Sequence, residues 1–477
     1  MTQYPGELND ANISRIFQGA GDFVRRELSC GGFSLYAYMI DGLTSGSDAS
    51  DYIVKPIAES LSGPDIQTLY HKALLGVVYN SVADPCEDLD TIAKKLVNGF
   101  CVVLFPGAGA IAFEVKTGEK RSLSPPEVEN TVKGPKDAFT ETVRTNTSLI
   151  RRHLRTPELR LYETQVGRRS LTNVTVAYIQ GLTNPKLVEE MKHRLSSIDI
   201  DGLLSPAAVE EYVTGSRPTA FPLLQYTERA DKFCQGLLAG RVGLLVDGLP
   251  LGYLAPADLA YLLTSPEDRG MDYLSASAVR LLRYAAMILS LLLPGFYVAM
   301  ASFHQEMIPL TLLKAMIESK SSVPFPTILE VLGLLIAFEL LQEAGIHLPQ
   351  SIGQTVSIIG GLVVGTAAVE AKLISPAALI AVSVAGICGF ALPGRDFADA
   401  LRLWRFVITV AASLAGLFGL SVGVVALLIH LSGLTCMGVG YLAPFTGTPR
   451  PSIFRPRLIH QKFRNPALSP EDMRNQK

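Results

Sequence analysis

No catalytic signature runs through this chain. It has no His-Glu-x-x-His pair, no Gly-x-Ser-x-Gly elbow and no paired-aspartate motif, and its seven histidines are scattered. An enzyme is therefore not expected, and neither is a cofactor or a metal. The six cysteines (Cys30, Cys86, Cys101, Cys234, Cys388 and Cys436) show no Cys-x-x-Cys spacing. They read as buried thiols of a reducing compartment, with no zinc site and no disulfide frame. Pro106-Gly107-Ala108-Gly109 invites a phosphate-loop reading, but the Gly-Lys-Ser/Thr ending that brings a lysine to the phosphates is missing. The formal charge of −2 is uninformative here, but there is no basic domain and no nucleic-acid motif, so nucleic acid is not an expected partner. Residues 1–23 contain no basic segment leading into an apolar core, so the polar half is expected to stay on the cytoplasmic side.

Apolar sequence, by contrast, is abundant: 48% of residues are hydrophobic, and the excess falls after Ser275. A membrane span needs about 20 mainly apolar residues. Leu281–Phe303, Thr327–Ala344, Ser351–Glu370, Leu373–Leu392 and Phe406–Leu431 each approach that, while Met307–Met316 is short enough to be interfacial and Leu434–Phe445 is Gly-rich and marginal. Arg280 and Arg283 stand at the entrance of the first span, and Pro294 inside it predicts a kink. Arg395, Arg402 and Arg405 read as a basic connector. The tail, with Arg450, Arg455, Arg457, Lys462 and Arg464, reads as cytoplasmic. Two cytoplasmic ends require an even number of crossings, yet five long apolar segments are visible.

The polar half reads as two small α/β subdomains. Helices are expected over 51–59 and 65–70, and strands over Phe100–Phe105 and Ala110–Val115. A run of basic residues between Lys133 and Arg169 reads as a solvated connector or, alternatively, as a surface for a partner subunit or anionic lipid. A second unit follows, with strands over Val174–Ile179, Ile198–Leu204 and Val242–Val246. Its helices open after Asn184, at Ser205-Pro206 and at Asp231. Residues 96–107 and 237–248 echo each other: Leu, Gly, an apolar strand, then a Gly turn. The fold class is thus a cytoplasmic α/β region of two subdomains followed by an all-α polytopic membrane domain. The expected divisions are 1–160, 161–274, 275–445 and a basic tail, 446–477.

Candidate functional residues lie in the apolar half. Glu339 and Glu343 sit near a helix C-terminus, where the dipole disfavours anions, and a carboxylate at membrane depth is a functional candidate. At 100° per residue, Gln354, Ser357, Gly361 and Gly365 share one face of Ser351–Glu370, opposite Ile352, Val356, Ile359 and Val363. That small, polar stripe serves either close helix packing or a pore lining, with Val364 the candidate for an apolar constriction. Glu330, in Thr-x-x-Glu, reads as a capping-box residue.

Five blocks carry a family resemblance: KGPKDAFTETVRTNTSLIRRHLRTPEL (133–159), TERADKFCQGLLAGRVGLLVDGLP (227–250), LPGFYVAMASFHQEMIP (293–309), VPFPTILEVLGLLIAFELLQEAGIHLP (323–349) and IGQTVSIIGGLVVGTAAVEAKLISP (352–376). In these blocks the chain resembles the A subunit of the spore germination (nutrient germinant) receptors, the GerA family of endospore-forming bacteria. The resemblance implies a multi-pass protein of the spore inner membrane. It also implies assembly with a transporter-like B subunit that binds germinant and a C lipoprotein. The A subunit itself would be a homo-oligomeric, ion-conducting or signal-relaying component in contact with membrane lipids. Two other readings remain open: a secondary transporter with Glu339 or Glu343 as coupling carboxylate, and a paralogue acting with the dipicolinic-acid release machinery.

Overall fold

Phe100–Phe105 is apolar at every position because both of its faces are covered. The computed structural model describes residues 4–116, 125–129, 131–215, 218–347, 363–446 and 453–475. In it this strand is the centre of a five-stranded antiparallel sheet formed by β1 (Phe23–Cys30), β2 (Phe33–Ile40), β3 (Ala83–Cys86), β4 (Phe100–Phe105) and β5 (Gly109–Glu114), in the order β1-β2-β4-β5-β3. Alternate side chains leave a strand on opposite faces. Cys101, Val103 and Phe105 therefore join one core with Ile53, Ile57 and Leu69, while Val102 and Leu104 join another with Ile13, Ile92 and Leu96. The second core includes helix α1 (Leu89–Val97), capped where the Asp88 carboxylate accepts from the Thr91 N–H.

A second antiparallel sheet repeats that plan. It is built from β6 (Leu159–Val166), β7 (Thr172–Ile179), β8 (Gln225–Thr227), β9 (Val242–Val246) and β10 (Gly252–Ala255), in the order β6-β7-β9-β10-β8. First, second, fourth, fifth, third describes both sheets, and the two echoing sequences occupy equivalent helix–strand–turn positions in them. Helices α2 (Val143–His153), α3 (Pro185–Ser196) and α4 (Ala230–Leu238) accompany the second sheet. Gly243 and Gly252 make room for α4. A Cβ on Gly243 would lie 2.2 Å from the Phe233 ring, and one on Gly252 would lie 2.6 Å from it. The expected caps form, since the Asn184 side chain accepts from Lys186 N–H and Ser205 Oγ accepts from Ala208 N–H. Ala230 is the first residue of α4.

Two expectations are corrected here. Residues 198–204 form no strand: the carbonyls of Ile200 and Asp201 instead accept from the N–H groups of Arg168, Arg169 and Ser170 in the β6–β7 turn. The basic run is not a uniformly solvated connector either. Arg151 is wholly buried and Arg160 is 6% exposed, with Arg151 held by Asp22 and Arg160 by the carbonyls of Ile16 and Pro157.

The chain divides into two compact units. One is Met1–Arg217, Leu224–Pro256 and Ile459–Lys477, and the other Pro218–Leu223 and Ala257–Leu458. The tail belongs to the first: Leu468 is buried, and Glu471 N–H donates to the Leu182 carbonyl (2.9 Å).

The second unit is helical: α5 (Tyr273–Phe303), α6 (Leu310–Lys320), α7 (Thr327–His347), α8 (Pro376–Phe390) and α9 (Arg395–Gly433). Among the described residues, α5 and, counted as one unbroken helix, α9 are long and apolar enough to cross a membrane. Helix α9 is not straight. Ala415 (φ −140°, ψ 21°) and Gly416 (φ 61°, ψ −139°) break it, and beyond them the chain returns along itself. A Cβ on Gly419 would sit 2.0 Å from the Ala411 carbonyl oxygen, and one on Gly423 would sit 3.4 Å from Ile408 Cα. Thus α9 is a helical hairpin with arms 395–414 and 417–433, and glycines at spacings of three and four form its seam. Arg283 is no free flanking charge, because it and Arg280 pair with the buried Asp268 at 2.8 and 3.1 Å.

Candidate functional site

Helix α7 is apolar on nearly every side, so a carboxylate on it needs a local partner. Glu339 finds two. Its Oε2 accepts from Arg402 Nη1 (2.9 Å) and its Oε1 from Arg405 Nη2 (3.0 Å), both on the first arm of the α9 hairpin. Arg402 and Arg405 are three residues apart and so share a helix face. Arg402 also pairs with Asp399, which places two carboxylates against two guanidiniums. Arg405 is 4% exposed, and a buried charge of this kind is tolerable only when paired. The reading of these arginines as a connector is therefore corrected: they are helical and bind Glu339. Their i, i+3 spacing inside an amphipathic start to an apolar helix was the available signal. Glu343, one turn further along α7, is more exposed.

A cavity of about 600 Å³ opens beside the cluster. Leu335, Glu339 and Gln342 line it from α7, at helical spacing; Leu379, Val382 and Gly386 line it from α8; Arg402 and Arg405 close one side. Gly365 is buried in its wall, with the Leu379 side chain 3.6 Å from where a Cβ would stand. Gln354, Ser357 and Gly361 lie outside the described residues. Val364 falls in a π-helical turn, Val363–Ala367.

Glu330 does not close a capping box on its own helix. It is 2% exposed and accepts from the backbone N–H (3.1 Å) and hydroxyl (2.8 Å) of Ser375, which itself caps α8. The Ser375 donors lie inside the bundle, so the carboxylate turns inward to them and ties α7 to the start of α8. Tyr297 of α5 reaches the same hydroxyl at 3.4 Å. Among the described residues no group of three or more His, Cys, Asp or Glu side chains is placed to hold a metal.

A family model described as Bacillus/Clostridium GerA spore germination protein matches residues 11–467. Spore germination protein KA of Bacillus subtilis is 34% identical over 97% of this chain and 87% of its own length. Spore germination protein A1 of the same organism is 36% identical over 76% of this chain and 75% of its own. An uncharacterized membrane protein of B. subtilis, YfkQ, is 34% identical over 91% and 85%. Among solved structures, the N-terminal domain of the A subunit of the Bacillus megaterium spore germinant receptor GerK3 matches 52% of this chain and 92% of that one, at 26% identity and a TM-score of 0.40. On the length and identity of these matches, the chain belongs to the GerA family of spore germination proteins.

Proposed function

We propose that this chain is the A-type subunit of a germinant receptor in the spore inner membrane. In this reading it assembles with B and C subunits and with copies of itself, and its helical unit conducts ions or relays the signal that starts germination. The observation that carries the reading is the Glu339–Arg402–Arg405 cluster beside a cavity in a largely apolar bundle. Ionised groups at such depth are costly and are retained where they act. A transporter's coupling carboxylate has to change partners, and Glu339 is instead held by two guanidiniums, which favours the relay.

Gln354, Ser357, Gly361 and Gly365 are proposed to line the conducting path, with Val364 as its constriction. Both ends of the chain are proposed to be cytoplasmic. Packing of the tail into the same unit as the N-terminal region supports placing them on one side.

The test is conductance of the purified chain, alone and with its B and C partners, in planar bilayers, together with thiol accessibility in the assembled receptor. Water-borne reagents are expected to modify cysteines at 354, 357, 361 and 365 and to change conduction, with 356, 359 and 363 protected. Uniform protection in the open state would reduce this helix to packing, and no conductance under any condition would leave only the relay.

A further inference from the structure

The start of α5 and the segment 453–457 enclose a second hollow, of about 570 Å³, apart from the cluster described above. Leu274, Ala278 and Leu281, at helical spacing, form one wall, and Phe454 stands among the lining residues. Leu274, Leu281 and Phe454 are 63%, 51% and 46% exposed, so this wall has no protein cover. The polar rim is built. Ser277 Oγ accepts from Arg455 N–H (3.1 Å), and Arg455 Nη1 donates to the carbonyls of Asp268 (2.6 Å) and Met271 (2.7 Å). The exposed Arg457 guanidinium lies 4.4 Å over the Tyr273 ring and donates to its hydroxyl (2.7 Å).

Charge points the same way. Over residues 267–283 and 453–457, five arginines (269, 280, 283, 455, 457) face three carboxylates (Glu267, Asp268, Asp272), an excess of two positive charges. Asp272 is close enough to Arg457 to interact with it. Asp268 is engaged by Arg280 and Arg283, and its carboxylate is not available to Arg455. We infer that this crevice binds the headgroup of an anionic phospholipid, its phosphate on Arg457 and an acyl chain along Leu274 and Leu281. The inference rests on the reading of α5 as a membrane span. At the polar end of such a span, cationic side chains above an exposed apolar stripe match both halves of an anionic lipid, and each arginine there strengthens binding several-fold.

The test uses the full chain in bilayer discs of phosphatidylcholine doped with phosphatidylglycerol, with retained lipid counted by native mass spectrometry after release. Phosphatidylglycerol is expected to be retained over phosphatidylcholine, and Arg457→Gln to lower its retention about fivefold. Lys314→Gln, on α6, is expected to leave it unchanged. Leu281→Gln should weaken lipid retention without changing competition by glycerol 3-phosphate, which itself should compete poorly. Equal retention of both lipids, indifference to Arg457→Gln, or displacement by glycerol 3-phosphate as efficient as by lipid each overturns the site. Failure of the chain to enter discs at all overturns the membrane reading and the site together, whereas normal entry with no lipid preference overturns the site alone.

Discussion

Arg151 and Asp22 meet inside the α/β unit with almost no solvent around them: Nε to Oδ2 is 2.7 Å, Nη2 to Oδ1 is 2.9 Å, and the side chains are 0% and 4% exposed. Arg151 lies on α2, beside the second sheet, and Asp22 immediately precedes β1 of the first, so this fork joins the two repeats. Arg160 adds a second tie by donating to the Ile16 carbonyl at 2.9 Å. Removal of one partner of a buried pair strands the other, at a cost of about 3–5 kcal/mol. Arg151→Met is expected to lower the unfolding free energy of the α/β unit by that amount, seen as a lower chemical-denaturation midpoint. The double variant Arg151→Met/Asp22→Leu should recover much of the loss. An unchanged midpoint for the single variant would contradict a structural role for the fork.

His153, at the end of α2, faces Asp137 at 2.6 Å. The hydrogen bond to Asp137 raises the imidazole above its usual value of 6.5 and pulls the Asp137 carboxyl below its usual 3.8. A raised histidine stabilises fully below its unfolded value and loses that contribution as pH rises through the folded one. A depressed carboxylate stabilises above its unfolded value and loses its contribution as pH falls through the folded one. The pair therefore contributes most between about pH 4 and 6.5. The stability difference between wild type and His153→Gln, followed by denaturation at several pH values, should peak in that window and shrink on both sides. A difference that grows above pH 8 would be the wrong sign.

The parts of this fold that follow a strong period are legible in the sequence. The FCVVLF and VGLLV strands, the Asn184 and Ser205 caps and the apolar character of the second half all come from side-chain pattern alone. The β1–β2 hairpin is harder to read because Arg25, Arg26 and Glu27 interrupt its alternation. Its one clear signal is Gly31-Gly32, a two-residue loop with φ of 58° and 86°, which suits the tight turn between paired strands. Arg151 and the Glu339 cluster depend on partners more than 60 residues away in sequence, and a local reading of a basic run has no means of finding Asp22 or Glu339.

The Glu339 cluster makes a separate prediction. Glu339→Leu leaves Arg405 buried beside a cavity with its main anionic partner gone, and a loss of about 3–5 kcal/mol is expected. Thermal unfolding of the solubilised chain should show that loss, and spores carrying the variant should germinate poorly. Glu339→Leu/Arg405→Met should regain stability because no charge is stranded. If germination returns with it, the cluster serves only to hold the helices; if germination stays lost, the charges themselves take part in the relay.

The last prediction concerns the glycine seam of α9. As a continuous helix, residues 408 and 423 would be about 22 Å apart, at 1.5 Å per residue. In the hairpin, the Cβ position of residue 423 is 3.6 Å from Ile408 Cβ, within the 3.5–4.5 Å range that a disulfide requires. Ile408→Cys/Gly423→Cys, made with Cys388 and Cys436 replaced by serine, is therefore expected to cross-link under mild oxidation in membranes. Ile408→Cys/Val422→Cys should not, because Val422 is exposed on the other side of its arm. Two straight helices from neighbouring copies could also bring 408 near 423. Co-expression of the two single-cysteine chains separates the cases: the hairpin gives a bond within one chain only. Gly419→Leu should abolish the cross-link, since its side chain would have to enter the space of the Ala411 carbonyl. A bond formed only between chains would require a straight α9, and one indifferent to Gly419→Leu would contradict the close seam at Ala411.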